Sequence, residues 1–515
     1  MSVQEIPEGI GDLAPEVQAT YDDAVRLSDK VVVDGKLTSA LTDETFENVN
    51  PAWLNVIGSS PRCREADVDH TVAVAKKAFR SWSRVTAKER GDLTRKLADI
   101  IEEHADDIAR LEALENGNAY TTQARPELDI TIEVLRLFAG FASELKGNTV
   151  PWLDGTLHYT TRDPIGVVGA IIPWNAPVWL WACKVAPAIV AGNTVVVKTA
   201  EQAPLAVLKC TELAQQVLPA GVVNTISGFG EECGKPLAEH KDVRKITFTG
   251  SCPVGRQIMQ YAADKLCPVT LELGGKSPNI VMPDADLDLA IPGVITGMRF
   301  SRQGQSCTAG SRLFLHKDVA DEILERTVAA MKNLKIGDPL DPESEIGTIV
   351  SQEQFDRVTR YVELARETPG AEILCGGGRP DDPALQKGLF FEPTLIKGVP
   401  HESPCAQEEI FGPVAVVFEW DDFTTVLNRA NDTEYGLAAT LWTRDLNHAM
   451  RFVDEIEAGL VQVNQYGAPV SNVAYGGLNQ SGLGKECSLE SMLEHFTRSR
   501  TVIINQGTPD PAINV

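Results

Sequence analysis

Val167-Val168-Gly169-Ala170-Ile171-Ile172 is a short, largely β-branched run that stops at the proline-flanked turn Pro173-Trp174-Asn175-Ala176-Pro177. Runs of the same kind recur at Thr194–Lys198, 223–227, 245–249 and 269–273. Each interval between them is long enough for a helix and its turns. Strands that read as continuous apolar runs and alternate with helices predict a parallel sheet covered on both faces. In such sheets ligands bind beyond the carboxyl ends of the strands. Asn175, Lys198, Gly250 and Gly274 all stand at or just past those ends, so functional groups are expected there.

A second α/β series begins near Ser277, with strand-like runs at 313–316, 414–418 and 460–464 and helical segments at 284–298 and 319–334. The Gly-, Pro- and Asp-rich stretch 376–388 reads as a surface loop. Before the first series, Val68, Val72, Ala75 and Phe79 fall at i, i+4, i+7 and i+11 behind Asp67 as an N-cap candidate. Leu93, Leu97, Ile100, Ile108 and Leu111 form a second apolar stripe, with His104 on the same helix face and no partner cluster that would make it a ligand. Segments 156–161 and 498–505 read as strands. Residues 1–30 show no strong period and read as a flexible or docked extension.

With 515 residues the chain is too long for one ordinary domain. Its net charge of −25, from 47 basic and 72 acidic residues, disfavours nucleic acid and anionic membranes as partners. The ten cysteines show neither CxxC pairs nor metal-ligand spacing. That pattern points to free thiols in a reducing compartment and to no metal. Met1 to Lys30 contains no apolar h-region, and the longest apolar stretch, 186–197, is broken by Gly192 and Asn193 and is too short to span a bilayer. A cytoplasmic protein is expected.

Three segments carry the chemistry. Cys307 lies in Gly304-Gln305-Ser306-Cys307-Thr308-Ala309-Gly310, where small and polar neighbours leave room for a ligand and expose backbone N–H groups. A buried cysteine is usually a small hydrophobe, and the other nine fit that description. Glu272 ends the apolar run Val269-Thr270-Leu271-Glu272-Leu273, where a carboxylate is costly to bury without a partner or a purpose. Asn175 sits in the turn quoted above, where a cap or Asx-turn is the ordinary role. A thiol, a base and an amide donor are what acyl chemistry at a carbonyl carbon needs.

Together and in this order, these segments resemble the NAD(P)-dependent aldehyde dehydrogenase superfamily, of the hydrolytic type that does not acylate CoA. The resemblance runs from about Val31 to Ile504. It implies an α/β protein with two doubly wound open-sheet domains: a dinucleotide-binding domain from 31–141 and 165–275, and a catalytic domain from 276–480. Residues 142–164 and 490–508 would form a small β element that drives assembly into a homodimer or homotetramer, with 1–30 as an extension.

The resemblance further implies that Cys307 is the nucleophile, Glu272 the base for the hydrolytic water, and Asn175 an oxyanion donor acting with the Cys307 N–H. Lys184 and Glu486 match a proton-relay pair. NAD is the expected cofactor. Lys198 and Glu201 would meet the adenosine ribose, and Glu201 would repel a 2′-phosphate. Phe248, Gly250, Ser251 and Gly255 would lie beneath the pyrophosphate. Glu409 and Phe411 would meet the nicotinamide ribose, with Ile171, Pro173, Trp174, Gly230 and Leu273 completing the site. Gly228-Phe229-Gly230 does not continue into a GxGxxG fingerprint.

For the aldehyde, the resemblance implies a tunnel walled by Ala176, Trp179, Leu180 and Cys183 on one side, with Ser301, Gly467 and Pro469 opposite and Arg302 and Ser306 nearby. Small residues at several of these positions predict a roomy tunnel for medium or aromatic aldehydes. Arg302 is a candidate carboxylate-binding charge or a salt-bridge partner facing away. The rival readings are a silent structural or binding protein on the same scaffold, and a thiol esterase without cofactor. The intact cysteine, glutamate and asparagine oppose the first, and the Lys198/Glu201 and Glu409/Phe411 pairs oppose the second.

Overall fold

The computed structural model describes residues 14–467 and 471–507. Its first sheet runs, in spatial order, Gly482–Leu483, Val269–Glu272, Val243–Thr249, Val167–Ile171, Thr194–Lys198, Val223–Ile226, Val31–Val33 and Lys36–Thr38. The five strands from Val269–Glu272 to Val223–Ile226 are mutually parallel, and antiparallel strands close both edges. Val167–Ile171, Thr194–Lys198 and Val223–Ile226 are buried along their whole length. This is why they read as apolar runs rather than as alternating patterns.

One face of this sheet is covered by Pro177–Val190 and Leu205–Ala214, the other by Glu65–Trp82 and Cys252–Ala263. Pro177–Val190 is buried at all fourteen positions, so it is apolar all round rather than amphipathic.

The second sheet has the order Glu372–Cys375, Thr394–Lys397, Val414–Trp420, Arg312–His316, Pro278–Val281, Ala438–Trp442 and Leu460–Val463. All its neighbours are parallel except the first pair. A separate ribbon pairs Thr156–Pro164 with Thr497–Asn505 in antiparallel register, from Pro164 opposite Thr497 to Thr156 opposite Asn505. Ile503 and Leu157 are exposed on it.

The helical expectations need two corrections. Asp67 does not cap its helix. The helix starts at Glu65, and Asp67 in its first turn reaches back to accept from the Arg64 N–H at 3.0 Å, and also from the Leu41 N–H at 2.7 Å. The second apolar stripe belongs to two helices, Ala87–Glu103 and Ala105–Asn116. His104 is the joint between them, at φ −110° and ψ 13°, and is not a helix-face residue. The bend lets Leu97 and Ile101 on one side and Ile108 and Leu111 on the other enter the same core. Within the N-terminal segment, Pro15–Leu27 is a docked helix that buries Tyr21, Ala24 and Leu27.

Candidate active site

In chain order the parallel part of the first sheet starts at Val167–Ile171, grows outward through Thr194–Lys198 and Val223–Ile226, then returns to lay Val243–Thr249 on the opposite side of Val167–Ile171. The carboxyl ends on either side of that reversal face a crevice, the usual ligand position in open parallel sheets. A cavity of about 640 Å³ occupies it, walled by Pro173–Ala176, Thr249–Pro253 and Glu272–Gly274 from this sheet and by Ser306–Thr308, Glu409 and Phe411 from the second.

Cys307 is placed by a loop of unusual backbone. Arg299 and Gln303 are left-handed, at φ 56° and 52°, and Gly304 follows at φ 65°. A Cβ on Gly304 would collide with the Gly412 carbonyl. The Cys307 sulfur lies 3.3 Å from the Tyr475 hydroxyl, and the Tyr475 ring meets Trp179 edge-on at 5.6 Å. Burial pushes the thiol up to about 11; the Tyr475 hydrogen bond pulls it down, while the Glu409 and Glu272 carboxylates push it further up.

The Asn175 side chain is aimed at the cysteine loop, with Nδ2 donating to the Gln305 carbonyl at 2.9 Å. The Gln305 amide is itself held by the Val350 N–H at 3.0 Å. Glu272 is buried, and neither carboxyl oxygen has a hydrogen-bond partner among the described residues. Burial raises its pKa well above the usual range, and the nearby Glu486 charge adds to that. A side chain on Gly476 would strike Glu272 Oε1, so the glycine gives the carboxyl its room. Behind it, Lys184 Nζ donates to Glu486 Oε1 at 2.7 Å, and Thr247 Oγ1 donates to the same oxygen at 2.8 Å.

The sequence pattern of the aldehyde dehydrogenase family matches residues 38–502. The chain belongs to this family. An aldehyde dehydrogenase of Alternaria alternata is 41% identical over 92% of this chain and 95% of its own length. The solved NAD+ complex of an aldehyde dehydrogenase from Bacillus cereus is 39% identical, covers 96% of this chain and 99% of that one, and superposes with a TM-score of 0.91. A betaine aldehyde dehydrogenase from Staphylococcus aureus, solved with NAD+, is 32% identical over 97% of this chain and 99% of its own, with a TM-score of 0.93.

Of the positions carried over from the family resemblance, Pro173, Trp174, Gly250, Ser251, Leu273, Glu409 and Phe411 stand in the cavity wall. Trp174 and Phe411 meet edge-on at 5.3 Å. Glu409 Oε1 accepts from the Gly275 N–H at 2.9 Å, and burial raises its carboxyl to about 7. Ile171, Lys198, Glu201, Gly230, Phe248 and Gly255 are outside this wall. Lys198 and Glu201 pair at 3.3 Å beyond it. Phe248 packs beneath Gly250, and Gly255 beneath Leu273. Gly230 opens a turn at the end of a neighbouring strand.

On the aldehyde side, Ala176, Trp179, Leu180, Arg302 and Ser306 line the cavity, but three expected residues do not. Cys183 is fully buried, its sulfur 3.3 Å from that of Cys487, because the helix has carried it past the floor. Ser301 turns away to donate to Gln123 at 3.1 Å. Gly467 is off the wall, its carbonyl accepting from Arg299 at 2.7 Å. Pro469 lies outside the described residues. Arg302 is both on the wall and in a salt bridge, 3.2 Å from Glu127. Tyr475, Arg299 and Glu127 are wall residues that the sequence reading passed over. The glycine pair after Tyr475 and the two arginines flanking Phe300-Ser301 were the available signals.

Proposed function

We infer that this protein oxidises an aldehyde to a carboxylic acid with NAD, through a thioester on Cys307. The observation that carries the reading is the convergence of the Cys307 thiol, the Asn175 amide and the Glu272 carboxyl on one cavity.

The residues present fit the cofactor. The helix Cys252–Ala263 opens toward the cavity at Ser251, whose side chain makes no capping hydrogen bond, so its first turn offers N–H groups to a pyrophosphate. The Thr249 hydroxyl in the cavity wall is buried without a partner among the described residues. A Cβ on Gly274 would strike the Glu409 carboxylate, so only glycine leaves the space beside that acid clear. Lys198 and Glu201 would hold the adenosine ribose. NAD, when bound, supplies the acceptor for the hydride of the substrate carbon.

The chain's own part begins with the Cys307 thiol losing its proton and adding to the aldehyde carbon. The oxygen that becomes negative is met by the Asn175 amide and the Cys307 N–H. Once the acyl group is a thioester, Glu272 takes a proton from water as that water attacks the carbonyl, and Cys307 leaves as thiolate. Among the described residues Glu272 has no hydrogen-bond partner to compete with that water. The Lys184–Glu486 pair would pass the proton onward.

Ala176 leaves room and Trp179 with Tyr475 supplies aromatic surface, which supports medium or aromatic aldehydes over acetaldehyde. The exposed apolar edge of the 156–164/497–505 ribbon supports pairing between copies, as dimer or tetramer. Ten unpaired cysteines support a cytoplasmic setting, and no helix among the described residues is long and apolar enough to cross a membrane. The test is NAD reduction by the purified protein with acetaldehyde, hexanal and benzaldehyde. Absence of turnover with all three would overturn the aldehyde reading, and acetaldehyde as the best substrate would overturn the roomy site.

A further inference from the structure

Among the arginines of the cavity wall, Arg299 and Arg302 flank Phe300-Ser301 on the segment that leads to Cys307. Their charges are not in the same position. Arg302 lies 3.2 Å from Glu127, with side chains 15% and 1% exposed. Glu127 is fixed in turn by the Trp179 N–H at 3.2 Å and by Gln123 at 3.3 Å. That pair is internally neutral.

Arg299 has no such partner. Its Nη2 donates to the Gly467 carbonyl at 2.7 Å, and its guanidinium lies over the Tyr466 ring at 5.5 Å. Both neighbours are uncharged. Among the described residues Arg299 forms no ion pair, and its neighbours include Tyr466, Arg302, Tyr475 and Cys307. Its Nε and Nη1 donate to no described residue. Burial pulls its pKa down. The placement is rigid: Tyr466 is anchored through its hydroxyl to the carbonyl of Thr308, next to Cys307. Arg299 is therefore held one tyrosine ring away from the cysteine loop.

A half-buried cation with no ion-pair partner among the described residues is costly unless a ligand brings the counter-charge. A carboxylate does so best, because it meets the guanidinium fork with two parallel hydrogen bonds. We propose that Arg299 determines substrate specificity, and that the preferred substrate is an oxo acid whose far carboxylate pairs with Arg299 while its aldehyde carbon meets Cys307. This rests on the aldehyde-oxidising function above. A neutral aldehyde leaves the guanidinium unpaired, and a trimethylammonium aldehyde meets a charge of its own sign despite the aromatic surface of Trp179 and Tyr475.

The experiment compares kcat/KM for adipic semialdehyde, its methyl ester, hexanal and betaine aldehyde with NAD, in the wild type, Arg299→Gln and Arg299→Lys. In the wild type the acid should exceed both hexanal and the ester by about tenfold or more, mainly through KM, as for one charge-assisted pair. That advantage should shrink with added salt. In Arg299→Gln the ratio of acid to hexanal should fall by about tenfold, with part of it regained in Arg299→Lys. An acid no better than its ester, a ratio unmoved in Arg299→Gln, or betaine aldehyde as the best substrate would each overturn the proposal. If Arg299→Gln does not fold, the wild-type comparison of acid with ester and the Arg299→Lys ratio decide. Turnover of hexanal without preference for the acid sinks this inference alone. Turnover of no aldehyde sinks the function it rests on.

Discussion

The Tyr475 hydroxyl and the Cys307 sulfur are 3.3 Å apart, and this contact is the main influence holding the thiol down against burial. The nucleophile is thus poised but mostly protonated at neutral pH. Only the thiolate adds to carbonyls.

In the absence of cofactor, alkylation of Cys307 by iodoacetamide should speed up about tenfold per pH unit from pH 7 to 10, because a thiol raised to about 11 ionises progressively across that range. Tyr475→Phe should slow it several-fold at any pH in that window. A rate that levels off by pH 8, or one indifferent to the tyrosine, would contradict the geometry.

Cys307→Ala should abolish NAD reduction with every aldehyde while the far-ultraviolet circular dichroism and NAD affinity persist, since the thiol supplies the covalent route. Measurable turnover in that variant would remove Cys307 from the mechanism.

Glu272→Gln should let the acyl-enzyme accumulate, visible as an adduct by intact-mass spectrometry after mixing with aldehyde and NAD. Because its carboxyl titrates well above the usual range, it accepts a proton better as pH rises. Deacylation should therefore accelerate with pH in the wild type and lose that dependence in the variant. Identical profiles would argue for another base.

Lys184 and Glu486 are 0% and 2% exposed and sit 2.7 Å apart. Lys184→Ala should lower unfolding stability by about 3–5 kcal/mol, because it strands the Glu486 charge in the interior. The double change Lys184→Met with Glu486→Leu should recover much of that loss. Urea titrations of the three proteins check it.

Glu201→Gln should erode the preference for NAD over NADP, because the Glu201 carboxylate, 3.3 Å from Lys198, opposes a 2′-phosphate only while charged. A wild type with higher kcat/KM for NADP would refute the assignment.

How far these features were legible depended on what kind of signal carried them. Thr194–Lys198 was readable to the residue because a strand buried on both faces has no reason to alternate. Pro278–Val281 and Ala438–Trp442 escaped notice because one begins with proline and the other with two alanines, neither a strong strand former. The break at His104 carries neither glycine nor proline, and only packing on both sides of it makes the turn necessary. In the site, Glu272 stood out as a carboxylate in an apolar strand and Cys307 by its small and polar neighbours, whereas Asn175, an ordinary turn asparagine by itself, was marked only by the family resemblance. Cys183 follows Trp179 one turn on in the helix Pro177–Val190, but the sequence says nothing of how far along that helix the cavity extends. Tyr475 and Arg299 are brought to the wall by tertiary folding, and their local signals, a following glycine pair and a second arginine nearby, do not by themselves point to a cavity.

The short strand Gly482–Leu483 completes the edge of the first sheet beside Leu271 and Glu272, more than two hundred residues further along the chain than the strand it covers. In a chain made from its amino end, the base's strand therefore waits with a bare edge while the whole second sheet is synthesised. Lys184 likewise waits for Glu486. A chain cut short before Gly482 would lack both the strand beside Glu272 and the carboxylate that partners Lys184, so the last stretch of the sequence supplies two supports of a site laid out far upstream.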